Sequence, residues 1–505
     1  MMNSGHDQVI IFGLSPLKAA QETWQNVVRS VLEASSALEI GLVSFQPESG
    51  DERTSDKYIK FVDYLDGWPK INCSKSIVAL EKFRAFSSTN DYQRFRFIAI
   101  KLLNRRDFTG TFRFLEREVI FENAVALAFT LILQRKPNIV VFDVTPHEFL
   151  PYVYQNVAEW LGVRTLHFQP SSLSATMLAK TGPSTTITPP RAVVRTSTIS
   201  VPLLSMVSER LDVLVKGIDP AYMKSQRDGD RAAASPLRRI QSLGAVAGWL
   251  FADRFPSSID FSGHGRRHDF ITRAMKVALG WSLQTTLRRK IGTLGSGFGS
   301  REPYAVFAMH YEPERTSIPD GYPIDSQGAG IAHARALIPS DLRLIVKEHY
   351  SQQTLGKRGF LGRSPLFYEF VRSFPNTSFA PTDSRLTELL SGATSVFTLT
   401  GTIAIEAVLR GIPVAYFGSP WWEGLPGAIK ISEGVDYEMI TTTQVPTPER
   451  VREFIENLTA EKMVPGLAGE KVLTLESRLG PLPDGFFEAE SHSISQCILE
   501  LLGSG

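Results

Sequence analysis

Two sets of short apolar runs, each run separated from the next by a helical stretch, constrain this chain more than any other feature. VIIFGL (9–14), IGLVSF (40–45), NIVVFDV (138–144) and VRTLHFQ (163–169) make the first set, with helical periodicity over 19–34 and 148–161. YAVFAMH (304–310), LRLIVKE (342–348), SVFTLT (395–400) and VAYFG (414–418) make the second, with helices expected over 325–337, 364–373 and 448–457 and a short one after Thr402. Apolar runs separated by helices imply βαβ units and parallel sheets. At 505 residues the chain exceeds one ordinary core. The expected fold is α/β: two Rossmann-like domains facing across a cleft, with a helical and loop-rich middle region. Open sheets of this kind bind ligands outside the carboxyl ends of their strands. The expected boundaries are 1–170, 171–300, 301–480 and 481–505, the last a helix crossing back onto the first domain.

A hydrophobic content of 43% with 21% charged residues fits a soluble globular protein. The formal charge of +2 gives no reason to expect nucleic acid as a partner. Residues 186–300 nevertheless hold 17 Lys/Arg against 8 Asp/Glu. Such a segment can meet phosphate or an anionic membrane surface, or can be an ordinary solvated face. Cys73 and Cys497 stand far apart and offer neither a metal-ligand spacing nor a disulfide framework. With no leader pattern and no run of about 20 apolar residues, a cytoplasmic setting with at most peripheral membrane contact is expected.

The stretch SVFTLTGTIAIEAVLRGIPVAYFG (395–418) places a Thr-Gly-Thr turn between a strand and a short helix. The start of such a helix presents free N–H groups and partial positive charge to a phosphate. Gly401 permits close backbone approach, Thr402 can cap, and Glu406 lies one turn further along the Thr402 face. An acid among apolar neighbours is costly unless it is solvated, paired or facing a ligand. Glu406 is therefore either an acceptor for ribose hydroxyls or a partly exposed acid on an ordinary crossover helix.

In LRLIVKEHYSQQ, Lys347 and His349 are two apart at a strand end and should project to one side, where they suit anionic oxygen. In FAMHYEPERTSIPDG, His310 and Glu314 follow the first strand of the second set and are candidates for acid–base work. In VVFDVTPHEF, Pro146 and His147 fall where a helix should start, with His147 a candidate general base. Trp421 and Trp422 could stack on a base or sugar. The one Asp-x-Asp, Asp228-Gly229-Asp230, follows no apolar strand, and there is no zinc spacing, Walker A loop or Gly-x-Ser-x-Gly elbow. No metal or other cofactor is expected.

Taken together, HYEPE (310–314), VKEH (346–349), TGTIAIEA (400–407), GIPVAYFG (411–418) and TPHEF (145–149) resemble the bacterial capsule and surface polysaccharide biosynthesis proteins. That family contains GT-B glycosyltransferases, including Kdo transferases that use a CMP-activated sugar. The resemblance covers mainly residues 300–430, with a thinner match at 138–170. It implies that His349 contacts the donor phosphate, that Thr400, Gly401 and Thr402 cradle it, and that Glu406 holds the nucleotide. The family usually has His-Pro where this chain has His349-Tyr350, a departure that bears on the CMP-sugar type.

The expectation is thus a metal-independent glycosyltransferase, with a nucleotide sugar bound on 301–480 and a surface or capsular polysaccharide, or lipid-linked glycan, as acceptor on 1–170. His147, His310 and Glu314 are its catalytic candidates; Lys347, His349, Thr400, Gly401, Thr402 and Glu406 are its donor-binding candidates. A sugar-nucleotide 2-epimerase of the same fold and a non-catalytic glycan-binding or assembly protein are the alternatives.

Overall fold

A computed structural model describes residues 8–14, 18–34, 39–44, 58–59, 77–106, 113–182, 185–186, 200–217, 270–295, 302–354, 359–467 and 472–503. The chain divides into two units, one built from the described residues up to Val207 together with those from Glu456 onward, the other from the described residues between Ser208 and Ile455. The basic 186–300 stretch, including Asp228 and Asp230, lies largely outside the described residues, as does Cys73.

The first unit is organised around a sheet of eight strands: β1 (Gln8–Leu14), β2 (Glu39–Ser44), β3 (Tyr58–Ile59), β4 (Ile139–Phe142), β5 (Arg164–Pro170), β6 (Thr176–Thr181), β7 (Thr185–Thr186) and β14 (Met463–Pro465). Its order is β14-β6-β5-β4-β1-β2-β3, with β7 on β6. Strands β3 to β5 form a parallel array, β1 lying between β2 and β4. Val9, Ile11, Ile139 and Val141 are fully buried, as a central strand covered on both faces requires.

Two features differ from the expected boundaries. The sheet does not end near residue 170, because β6 turns back antiparallel on β5 and continues it. The return to this unit also begins before residue 481, since β14 pairs antiparallel with β6. A three-residue strand such as Met-Val-Pro carries too little pattern to be seen, yet it supplies the partner that the outer edge of β6 needs. Helix Phe486–Gly503 then lies on helix Lys18–Ala34, with Ile494, Cys497 and Ile498 against Trp24, Val27 and Val31. Three helices, Ile77–Ser87, Asn90–Arg106 and Phe114–Arg135, precede β4.

The second unit carries a sheet of six strands: β8 (Tyr304–Ala308), β9 (Arg343–Lys347), β10 (Thr377–Phe379), β11 (Ala393–Thr398), β12 (Val414–Tyr416) and β13 (Ala428–Lys430). Every pairing is parallel and the order is β10-β9-β8-β11-β12-β13. Counted within the unit this is 3-2-1-4-5-6, the Rossmann order, whose direction of travel reverses between β8 and β11. Phe307, Val346 and Phe397 are buried in the core, with Leu287 and Ile291 of helix Phe270–Gly292 packed among them. Helix Ile403–Val408 ends where sequence places a Gly-Ile-Pro break. Gly411 has φ +77°, and the Ile412 N–H reaches back to the Ala407 carbonyl at 3.0 Å, satisfying an end carbonyl in the Schellman manner.

Candidate functional site

The reversal between β8 and β11 sets the carboxyl ends of these two strands side by side, and each continues into a segment singled out from sequence. His310 leaves β8 two residues after its end. Its backbone is gripped by a buried amide: the His310 N–H donates to Gln327 Oε1 at 2.6 Å, and Gln327 Nε2 donates to the His310 carbonyl at 3.1 Å. Two residues on, Gln352 repeats the pattern, accepting from the Glu312 N–H at 2.9 Å and donating to the Glu312 carbonyl at 2.9 Å. Gln284 in turn donates to the Gln352 carbonyl at 2.9 Å and accepts from the Phe360 N–H at 3.0 Å.

The imidazole of His310 points into the Thr-Gly-Thr turn after β11. Its Nε2 accepts the Thr400 N–H at 3.2 Å, so the bonding pattern assigns the ring proton to Nδ1. Burial, reinforced by the positive charge of Arg363, pushes the ring pKa down to about 4, and the ring is neutral at physiological pH. The Gly401 N–H donates to Thr398 Oγ1 at 3.2 Å. A Cβ on Gly401 would stand 2.7 Å from that same oxygen and 3.3 Å from His310 Cε1. Glycine is required here by the closeness of the turn to Thr398 and His310.

The turn expected to cradle a phosphate has protein partners of its own. The N–H groups of Thr400 and Gly401 are already met by protein, and Thr400 Oγ1 donates to the Thr316 carbonyl at 2.7 Å. Thr402 occupies the position before the helix, but its backbone is helical (φ −61°, ψ −16°) and its side chain makes no capping bond. A side-chain cap needs extended backbone, which this residue lacks. Glu406 is half-buried one turn into the helix, and its carbonyl accepts from Arg410 Nη1 at 2.8 Å.

Beneath His310 lies an ionic group that sequence reasoning did not find. The Arg363 side chain is fully buried; it is ion-paired with Glu312, donates through Nε to Glu348 Oε2 at 3.1 Å, and reaches the His310 carbonyl at 3.3 Å. Tyr368 Oη donates to Glu348 Oε2 at 2.8 Å, and the His349 N–H donates to Glu348 Oε1 at 2.8 Å. Burial raises the Glu348 carboxyl pKa, and Arg363 opposes that rise. The same network therefore fixes the backbone at both histidines. Glu348 and Gln352 stood inside LRLIVKEHYSQQ, but a lone acid and an amide carry no pattern that distinguishes buried from exposed.

His349 is half-buried, and its Nδ1 accepts the Ser351 N–H at 3.2 Å, which assigns the proton to Nε2. Lys347 does not share its direction. Its ammonium donates to the Pro381 carbonyl at 2.7 Å, the Thr382 carbonyl at 2.9 Å and Ser384 Oγ at 3.0 Å. These three bonds hold its ammonium to the loop after β10. Glu314 is exposed and accepts from Thr316 Oγ1 at 3.1 Å. Trp421 and Trp422 are buried, Trp422 edge-on to Tyr416 with centroids 5.0 Å apart, and neither presents a stacking face.

His147 belongs to the first unit, past the carboxyl end of β4. Helix Phe149–Trp160 starts after it, with Glu148 extended at the cap position, so Pro146 and His147 lie in the loop and not in the first helical turn. His147 Nδ1 lies 2.9 Å from the Thr145 carbonyl and must donate to it, leaving the basic lone pair on Nε2. Its carbonyl accepts from Arg105 Nη1 at 3.0 Å. Among the described residues, no group of three or more His, Cys, Asp or Glu side chains is arranged to hold a metal.

Residues 323–428, about a fifth of the chain, match the sequence model of the capsule polysaccharide biosynthesis protein family. The matched segment runs from the loop before Gln327 to the first residue of β13, and so contains His349, Arg363, the Thr-Gly-Thr turn and Glu406. No curated protein matches the chain. Among solved structures, it is similar to the beta Kdo 2,7 transferase of Thermosulfurimonas dismutans KpsC (11% identity, TM-score 0.28, covering 74% of this chain and 88% of that one). It is also similar to the UDP-GlcNAc 2-epimerase of Methanocaldococcus jannaschii (12% identity, TM-score 0.21, covering 99% and 100%). At these scores neither likeness bears on the chemistry of the site.

Proposed function

We propose that this chain is a glycosyltransferase of capsule or surface polysaccharide synthesis that takes a sugar from a nucleotide donor, a CMP-sugar being one candidate, without a metal. The observation that carries this is the assembly at the switch point of the second sheet. Two histidines, one neutral and locked against the turn, the other half-exposed with its proton on Nε2, are fixed by one buried ionic network, of which His349, Glu348 and Arg363 fall within the segment that matches the capsule family and His310 and Glu312 precede it.

In this proposal His349 Nε2–H donates to the donor phosphate, and Glu406 accepts hydroxyl hydrogen bonds from the ribose. His310 is a positioning residue, because its Nε2 already holds the Thr400 N–H. Departure of the nucleotide is favoured by fixed donors that need no reorganisation as charge develops. His147, with its basic nitrogen outward from the Thr145 bond, is the candidate base for the acceptor hydroxyl. The acceptor is a glycan, lipid-linked or free, and the setting is the inner face of the cytoplasmic membrane. No described helix is long and apolar enough to cross a membrane.

The test is a thermal-shift screen against CMP, UDP, GDP and their sugars, followed by transfer assays with His349→Ala and Glu406→Ala. A ligand that binds the native state raises its unfolding temperature. Loss of both nucleotide-induced stabilisation and transfer in folded variants is expected; full activity in both variants would remove the proposed donor site. Turnover of donor with no acceptor present would point instead to an epimerase.

A further inference from the structure

The segments that leave the carboxyl ends of β8, β11 and β12, residues 309–326, 399–402 and 417–427, contain a single Lys or Arg, Arg315. At the end of β9 the Lys347 ammonium is bonded to the 381–384 loop, and Arg363 stands between Glu312 and Glu348. Arg315 is therefore the cation at these strand ends whose charge is least engaged by the protein.

Its neighbours in the loop after β8 place Arg315 beside the Thr400 turn. The carbonyl of Thr316, the next residue, accepts from Thr400 Oγ1 at 2.7 Å. The Asp320 N–H donates to the Arg315 carbonyl at 3.2 Å, and the Asp320 carbonyl accepts the Ser419 N–H at 2.8 Å. Gly418 lets these segments meet, since a Cβ there would collide with the Asp320 carbonyl oxygen and stand 2.5 Å from Thr400 Cγ2. The backbone of Arg315 and Asp320 is thus tied to the ends of β11 and β12.

The Arg315 side chain is only 17% exposed, yet its guanidinium is loosely held. Among the described residues its ionic partner is Asp320, with Nη1 3.4 Å from Oδ2, and the buried Nη1 makes no hydrogen bond. A well-made guanidinium–carboxylate bond is about 2.7–2.9 Å long, and buried N–H donors are as a rule satisfied. Arg335, a buried arginine of the same unit, shows the contrast: it donates to the Leu342 and Ile338 carbonyls at 2.8 and 2.7 Å. Glu314, next to Arg315 in sequence, is exposed and accepts from Thr316 Oγ1.

We propose that Arg315 binds a phosphate of the nucleotide donor, the incoming anion taking the place of Asp320 at Nη1. The planar guanidinium matches phosphate oxygens, and in a largely buried position its charge is weakly screened. Asp320 keeps the guanidinium paired until the donor arrives. The inference rests on the donor-site reading above and adds a fixed positive charge to it.

The test is calorimetric titration of the full chain with CMP, UDP and GDP at low and high salt, for the unaltered protein, Arg315→Met, Arg315→Lys and Asp320→Asn, with unfolding temperatures measured alongside. For each nucleotide that binds, Arg315→Met should weaken affinity about tenfold or more and flatten its dependence on salt. Arg315→Lys, which keeps the charge without the fork, should fall between the two. Asp320→Asn, which removes the competing anion, should bind at least as tightly as the unaltered protein. A pair that only supports the loop would act differently, because Arg315→Met and Asp320→Asn would then lower the unfolding temperature and weaken binding together. That result, or unchanged affinity and salt dependence in a folded Arg315→Met, would overturn the proposal while leaving the donor site in place. Failure of the unaltered protein to bind any of the three nucleotides would remove the donor site itself, and this proposal with it.

Discussion

The Thr400 N–H donates to the Nε2 of His310 across 3.2 Å, although the two residues are 90 apart in sequence. The turn that looks locally like an anion cradle is therefore braced by a side chain from the loop after β8. The consequence is that the shape of this turn depends on the protonation of one ring.

His310 has its folded pKa depressed to about 4 from an ordinary value near 6.5. The stability linked to it is present above pH 6.5 and lost as pH falls through 4, with a ceiling of about 3 kcal/mol. Denaturant unfolding at pH 7 and pH 4.5 should show this loss, and it should be smaller in His310→Gln. His310→Ala, which leaves the buried Thr400 N–H without an acceptor, should cost about 2–4 kcal/mol at pH 7.

Arg363 lies between two carboxylates, Glu312 and Glu348, with no exposed side-chain surface of its own. Arg363→Met leaves both acids buried without their counter-charge and should cost about 3–5 kcal/mol. Glu348→Gln keeps an acceptor for the His349 N–H and leaves Arg363 its pair with Glu312, so it should cost markedly less. Equal losses for the two variants in urea titrations would contradict the arrangement described.

Lys347 and His349 should separate in their effects. Lys347→Met removes three hydrogen bonds to the 381–384 loop and should lower stability by about 1–3 kcal/mol while leaving nucleotide affinity within a few-fold of normal. His349→Ala should do the reverse. Calorimetric titration with the nucleotide found in the thermal-shift screen distinguishes them.

In the first unit, Glu490 accepts from the Leu467 N–H at 2.7 Å and from Thr23 Oγ1 at 3.0 Å, yet burial outweighs both and raises its pKa to about 7. Its folded state favours the protonated acid, so the linked stability is present below pH 4.5 and lost as pH rises through 7, again with a ceiling of about 3 kcal/mol. Glu490→Gln keeps the neutral form at every pH. It should stabilise the protein at pH 8 relative to its effect at pH 5; an equal effect at both values would mean that Glu490 is not the titrating group.

Most of the parallel strands were legible because each is a continuous apolar run between helices, from VIIFGL in one unit to YAVFA and VAY in the other. β10, three residues beginning with two polar ones, and β14 were not, because such short strands owe their existence to a neighbour's open edge and not to any pattern of their own. Within the site, sequence located the turn at Thr400 and the strand ends at His310 and His349. It could not show who answers the turn's N–H groups, since that partner arrives through the parallel pairing of β8 with β11. Nor could it separate Lys347 from His349: equal strand parity does not reveal that the loop after β10 offers three oxygen acceptors to one ammonium.

The two glutamines that clasp the loop after β8, Gln327 and Gln352, and the third, Gln284, that braces Gln352, have a further consequence. Carboxamides neither take up nor release protons in water at any ordinary acidity. Gln284, Gln352 and Gln327 therefore keep the loop's register when the ionisable groups around them change state. Acidification can place a charge on the ring at the centre of the site while the scaffold that aims it stays fastened.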